Sequence, residues 1–66
     1  MKGVFKFYIA KKGYGFITSS EYVDYFVHAK DIRNMKGDDI DKGQRVEFEE
    51  QITQRGKSAK NVSLID

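Results

Sequence analysis

Hydrophobic and polar side chains alternate along most of this chain with a period of two, the spacing that sends successive residues to opposite faces of a strand. The pattern predicts strands at about 2–9 ("KGVFKFYI"), 13–19 ("GYGFITS"), 23–28 ("VDYFVH"), 44–52 ("RVEFEEQI") and 59–65 ("AKNVSLI"). The fourth is the cleanest, with Val46 and Phe48 on one side and Arg45, Glu47 and Glu49 on the other. A turn at 19–22 joins the second and third strands. One helical turn is predicted near Ala29 to Arg33, followed by a long loop, "NMKGDDIDKG". Five short strands without a full-length helix would expose their edges as an open sheet, so the fold class is all-β, a small closed antiparallel barrel.

The same alternation divides the side chains between two faces. Ile17, Val27, Ile32, Val46, Phe48, Val62 and Leu64 form the expected core. Gly13 and Gly15 share the inward face of the second strand with Ile17, where a missing side chain lets a strand coil sharply. The outer face then gathers Tyr14, Phe16, Phe26 and His28, with Phe7 or Tyr8 beside them and Lys6, Lys12 and Lys30 around them. Both faces cannot be buried in a barrel of this size, and an exposed aromatic patch marks a binding surface. Rings interleaved with lysines offer flat surfaces to unpaired bases and positive charge to phosphates. A duplex has no use for such a face, because its bases already stack on one another.

Composition narrows the picture further. At 66 residues the chain is expected to form a single domain with a small core, without cysteine and with one histidine, so disulfides and a structural zinc site are excluded. The apolar run at the N-terminus is too short and too interrupted by Lys6 for a secretory signal, and no stretch reaches the length of a membrane span. The expected location is the cytoplasm. Residues 1–36 carry seven Lys/Arg against three acids and residues 37–66 five against seven, so the positive charge sits on the half that holds the aromatics. Catalysis has no foothold: His28 has no cysteine partner, and Asp24 is about 13 Å away along the same strand. No phosphate-cradling glycine loop, metal cluster, cofactor motif or small-molecule site is present. The competing function is a protein-interaction module that docks a peptide on the same rings, but a peptide groove would not need Lys6 and Lys12 beside them.

"KGYGFI" at 12–17 and "YFVHA" at 25–29 resemble the two ribonucleoprotein motifs in the form carried by cold-shock domain proteins, and "GQRVEF" at 43–48 and "RGKSAKNV" at 55–62 fall where a bacterial-type member places its last two strands. The resemblance covers essentially the whole chain. It implies a five-stranded barrel of the OB type and a monomeric RNA chaperone that binds single-stranded RNA and DNA, with a preference for pyrimidine-rich tracts. Residue by residue it implies binding through Lys6, Phe7, Tyr8, Lys12, Tyr14, Phe16, Asp24, Phe26, His28 and Arg55: Phe16, Phe26 and His28 stack, Lys6 and Lys12 meet phosphates or base edges, and Asp24 accepts from a base. The chain departs from the family at Phe7, Tyr8 and Ile9, where tryptophan, phenylalanine and asparagine are usual. It departs again at Ala29 and around Met35 and Gly37, where aromatics are usual, and at Lys57, where proline is common. With Lys30, Lys36 and Lys57 added as phosphate contacts, the implied binding is more electrostatic and less base-selective than in a typical member.

Overall fold

The computed structural model describes residues 1–34 and 40–65, so the expectations attached to Met35, Lys36 and Gly37 lie outside the described residues. Among the described residues five strands follow in order, β1 (Lys2–Ile9), β2 (Tyr14–Ser19), β3 (Asp24–His28), β4 (Arg45–Thr53) and β5 (Gly56–Leu64), with a 3-10 turn at Ala29–Asp31. Their spatial order β1-β2-β3-β5-β4 closes on itself where β4 pairs back to β1. Four contacts are antiparallel, and the fifth, β3 with β5, is parallel at Phe26 and Ser58 and continues in a parallel bridge from Ile32 to Val62. An odd ring of strands cannot alternate in direction all the way round. One parallel seam is therefore the geometric consequence of closing five strands into a barrel. Among the described residues no helix is long and apolar enough to cross a membrane.

The core consists of Phe5, Ile17, Tyr25, Val27, Val46, Phe48, Ala59 and Val62, with Tyr8, Val23, Ile32 and Ile40 packed against it. Phe5, Tyr25 and Ala59 join the predicted set, while Leu64 is only half-buried and Ile32 flanks the core rather than filling it. Tyr25 is buried with its ring 5.0 Å from that of Phe48, and its hydroxyl donates to Glu50 Oε2 at 2.8 Å. That bond, reinforced by burial, holds the phenol pKa above its ordinary value. A buried aromatic with a polar end needs such a partner.

Two irregularities in the first hairpin decide which rings face outward. The register of β1 on β2 runs Phe5 to Ile17 and then Phe7 to Phe16, so Lys6 is an extra residue in a β-bulge. Strict alternation would put Phe5 and Phe7 on one face, whereas the bulge turns Phe5 into the core and Phe7 out to solvent. The second irregularity concerns the glycines. Gly15 is buried in β2, where a Cβ would overlap the carbonyl oxygen of Phe7 and lie 2.8 Å from the Cα of Tyr8. Its absence lets β1 approach closely. Gly13 corrects the expectation that it shares that inward strand position: it belongs to the β1–β2 turn, at φ +74°, with its N–H donating to the Ile9 carbonyl at 2.8 Å. The residue serves as a left-handed corner.

Candidate nucleic-acid interface

Pairing in register carries three rings across three adjacent strands. Phe7 lies opposite Phe16, and Phe16 opposite Phe26. Their centroids are 5.5 and 5.7 Å apart, within the range of mutually attractive aromatic pairs. On the next rung Tyr14 lies opposite His28, and the Tyr14 ring stacks on Phe26 at 5.7 Å with an interplanar angle of 24°. These rings pack on one another along the outer face, separate from the core cluster beneath. Phe7 is 39% exposed, Tyr14, Phe16 and Phe26 are half-buried, and His28 is exposed. They form a continuous apolar strip whose side toward solvent is open.

Arg55, in the β4–β5 turn, places its guanidinium carbon 4.7 Å from the centroid of Phe26. A base inserted between ring and guanidinium needs about 7 Å, two van der Waals spacings, so Arg55 lifts by about 2 Å to admit one. A planar cation stacks well on a base from the opposite side. In this structure Arg55 covers the Phe26 ring.

At the other edge, Asp24 accepts from Lys6 Nζ at 3.0 Å and from Thr18 Oγ1 at 2.8 Å. The Lys6 hydrogen bond, followed by that of Thr18, holds the Asp24 carboxyl below its ordinary pKa. The sign follows directly: the stability this pairing contributes is complete above the ordinary aspartate value and is lost as pH falls through the depressed one. With side chains 55% and 44% exposed the pair adds little to the fold. Its main effect is to orient Lys6 beside Phe7. In an NMR titration the Asp24 carboxyl should have a midpoint below the ordinary aspartate value, and Lys6→Gln should move it upward. An unchanged midpoint in that variant would remove Lys6 as the cause.

His28 Nδ1 accepts from the Lys30 N–H at 3.1 Å, capping the 3-10 turn. In the neutral ring the proton then sits on Nε2, which points a donor away from the backbone. Lys12 is exposed in the β1–β2 turn, two residues before Tyr14. Lys30, two residues after His28, is exposed as well. The structure does not bring Tyr8 and Lys57 into this group. Tyr8 follows the bulge inward and sets its ring edge to face with Phe5 at 5.8 Å, and Lys57 Nζ lies 6.0 Å from the buried Tyr25 ring.

Beyond Phe26 and His28 the strip ends in a cleft of about 390 Å³ whose far wall includes Thr53, Gln54, Ser58 and Lys60. None of these four was singled out in the sequence. They meet Phe26 only through the parallel seam, which strand alternation does not reveal. Thr18, which holds Asp24, was visible in principle, since it lies opposite Asp24 in the β2–β3 register. Among the described residues no group of three His, Asp or Glu side chains could hold a metal ion.

A family model described as the 'Cold-shock' DNA-binding domain matches residues 1–65. The cold shock-like protein of Thermotoga maritima is 41% identical over 66 residues, covering 100% of both chains. Cold shock protein 1 of Lactiplantibacillus plantarum is 42% identical over 60 residues, 91% of each chain. The cold shock-like protein CspC of Escherichia coli is 41% identical over 66 residues, 98% of this chain and 96% of the relative. Among solved structures, drosophila Unr CSD456 is similar with a TM-score of 0.75 at 22% identity, covering 98% of this chain, which spans 26% of that one. The structural likeness is one of fold, and the sequence matches extend from the first strand through the last: the chain belongs to the cold-shock domain family.

Proposed function

We propose that this protein binds single-stranded RNA or DNA, with unpaired bases stacked on Phe7, Phe16, Phe26 and His28 and the phosphates met by Lys6, Lys12, Lys30 and Arg55. The observation that carries this reading is the ring ladder of Phe7, Phe16 and Phe26 across β1, β2 and β3, an apolar strip separate from the core and open to solvent. Stacking on such a strip accepts any base, because every base has a flat π-face. Tyr14 packs against Phe26 on the same face, and Asp24, with a spare lone pair on each oxygen, accepts from a base at the Phe7 edge. Binding of this kind holds transcripts unpaired, the work of an RNA chaperone. The protein acts as a cytoplasmic monomer with a preference for pyrimidine-rich tracts, whose weaker self-stacking makes their bases easier to splay.

Neutralising about four phosphates on a single strand gives a slope of roughly −3 when the logarithm of affinity is plotted against the logarithm of salt concentration. Titrating labelled oligothymidylate across a salt series measures that slope directly. A slope near zero would mean that the cations around the rings do not contact the strand.

A further inference from the structure

The aromatic strip runs into the cleft beyond Phe26, and that cleft has a different chemistry from the strip. Its walls are the 3-10 turn, β5 and the β4–β5 turn, brought together at Phe26 by the parallel pairing with Ser58. Its volume of about 390 Å³ lies at the small end of ligand sites, which begin near 300 Å³. Three cations line it, Lys30, Arg55 and Lys60, against one carboxylate, Asp31. Among the described residues neither Lys30 nor Arg55 has an ion-pair partner. Lys60 pairs with Asp31 at 3.2 Å, their side chains only 30% and 16% exposed. The Thr53 and Ser58 hydroxyls are 3.2 Å apart and bonded to each other, so the floor is polar and already satisfied.

Lys60 is held partly out of water, where solvent and salt screen its charge less, while Lys30 and Arg55 reach the cleft from exposed positions and have no carboxylate paired with them among the described residues. A base in this cleft would leave its cations unmatched. We propose that the cleft seats a phosphate group of the bound strand, one nucleotide beyond the base carried by Phe26, a proposal that rests on the single-strand reading above. Arg55 links the two sites. A base arriving on Phe26 displaces the guanidinium from the ring, and its fork of donors matches phosphate oxygens. Lys30 and Lys60 complete the seat from the 3-10 turn and from β5. Asp31 opposes the phosphate and sets how much of the Lys60 charge is available to it.

The test is a titration of labelled hexathymidylate, with and without a 5′-terminal phosphate, on wild type, Lys30→Gln, Lys60→Gln and Asp31→Asn. Each lysine variant should weaken binding about fivefold at roughly 0.1 M salt and flatten the salt slope by about 0.7, the value for one lost phosphate contact on a single strand. Asp31→Asn should strengthen binding, although it breaks the same ion pair as Lys60→Gln and lowers the melting temperature in the same direction. Opposite signs in affinity with like signs in stability separate a phosphate seat from a structural bridge. Equal losses on both oligonucleotides place an internal phosphodiester in the cleft, and losses confined to the phosphorylated one place the terminal group there. If the wild type binds and none of the three substitutions changes affinity or slope, or if Asp31→Asn and Lys60→Gln shift affinity the same way, the phosphate seat is overturned while the aromatic face stands. If the wild type fails to bind hexathymidylate, the face itself is overturned and the seat with it.

Discussion

Phe16→Ala should lower affinity for single-stranded oligothymidylate by roughly 5- to 150-fold, the equivalent of about 1–3 kcal/mol for a stacked base. Phe16 is the middle ring of the ladder, with Phe7 on one side and Phe26 on the other. Its truncation removes a platform and also the edge that each neighbour packs against. Because the ring is half-buried on the outer face and outside the core cluster, the barrel should remain folded. Fluorescence anisotropy of a labelled strand measures the loss, and a thermal melt confirms the fold. Unchanged affinity in a folded variant would mean that bases do not stack there.

Gly15→Ala should act on stability instead, and severely. The residue lies between Tyr8 of β1 and Val27 of β3, and an added methyl group meets the Phe7 carbonyl oxygen and the Tyr8 Cα, main chain that cannot rotate away, as well as the Tyr8 ring. The seam between β1 and β2 must widen, at a cost near the upper end of overpacking penalties, about 3 kcal/mol. A core of this size supplies only about 3–5 kcal/mol in total. A large share of the molecules should therefore be unfolded at room temperature, as read by urea denaturation followed by circular dichroism. Gly43→Ala is the control. Its φ of +87° carries a backbone penalty of about 1–2 kcal/mol, but among the described residues, its chain neighbours aside, nothing lies within 4 Å of the added methyl group. A Gly15→Ala protein as stable as the wild type would show that β1 does not need the close approach.

The strands and the division into an inner and an outer face were legible because both depend on local alternation, which a sequence displays directly. Ile17, Val27, Val46, Phe48 and Val62 took their inward places on that basis, and Tyr14, Phe16 and Phe26 their outward ones. Alternation fails where the chain inserts a residue or changes role. The bulge at Lys6 separates Phe5 from Phe7 although the two are an even number of residues apart. It also settles which of Phe7 and Tyr8 joins the strip. β5 begins at Gly56 rather than near 59, because Gly56 and Lys57 are exposed and Ser58, although buried, is polar, so these first residues carry no hydrophobic period-two signal. The cleft was invisible for a different reason. Its walls come from segments about thirty residues apart, joined by a seam whose direction follows from closing the ring and not from any local pattern.

Competition between a single strand and its own duplex tests the central claim most directly, because it changes the availability of the bases while leaving the phosphate chemistry in place. A labelled oligothymidylate and the same strand annealed to its complement are titrated with wild-type protein at low and moderate salt. Stacking on Phe7, Phe16 and Phe26 requires the single strand to bind more tightly at both concentrations, with a margin that widens as salt weakens the electrostatic contribution that the duplex shares. Equal affinity for the two forms, or a preference for the duplex, would show that charge alone draws nucleic acid to this barrel and that the aromatic strip serves another partner.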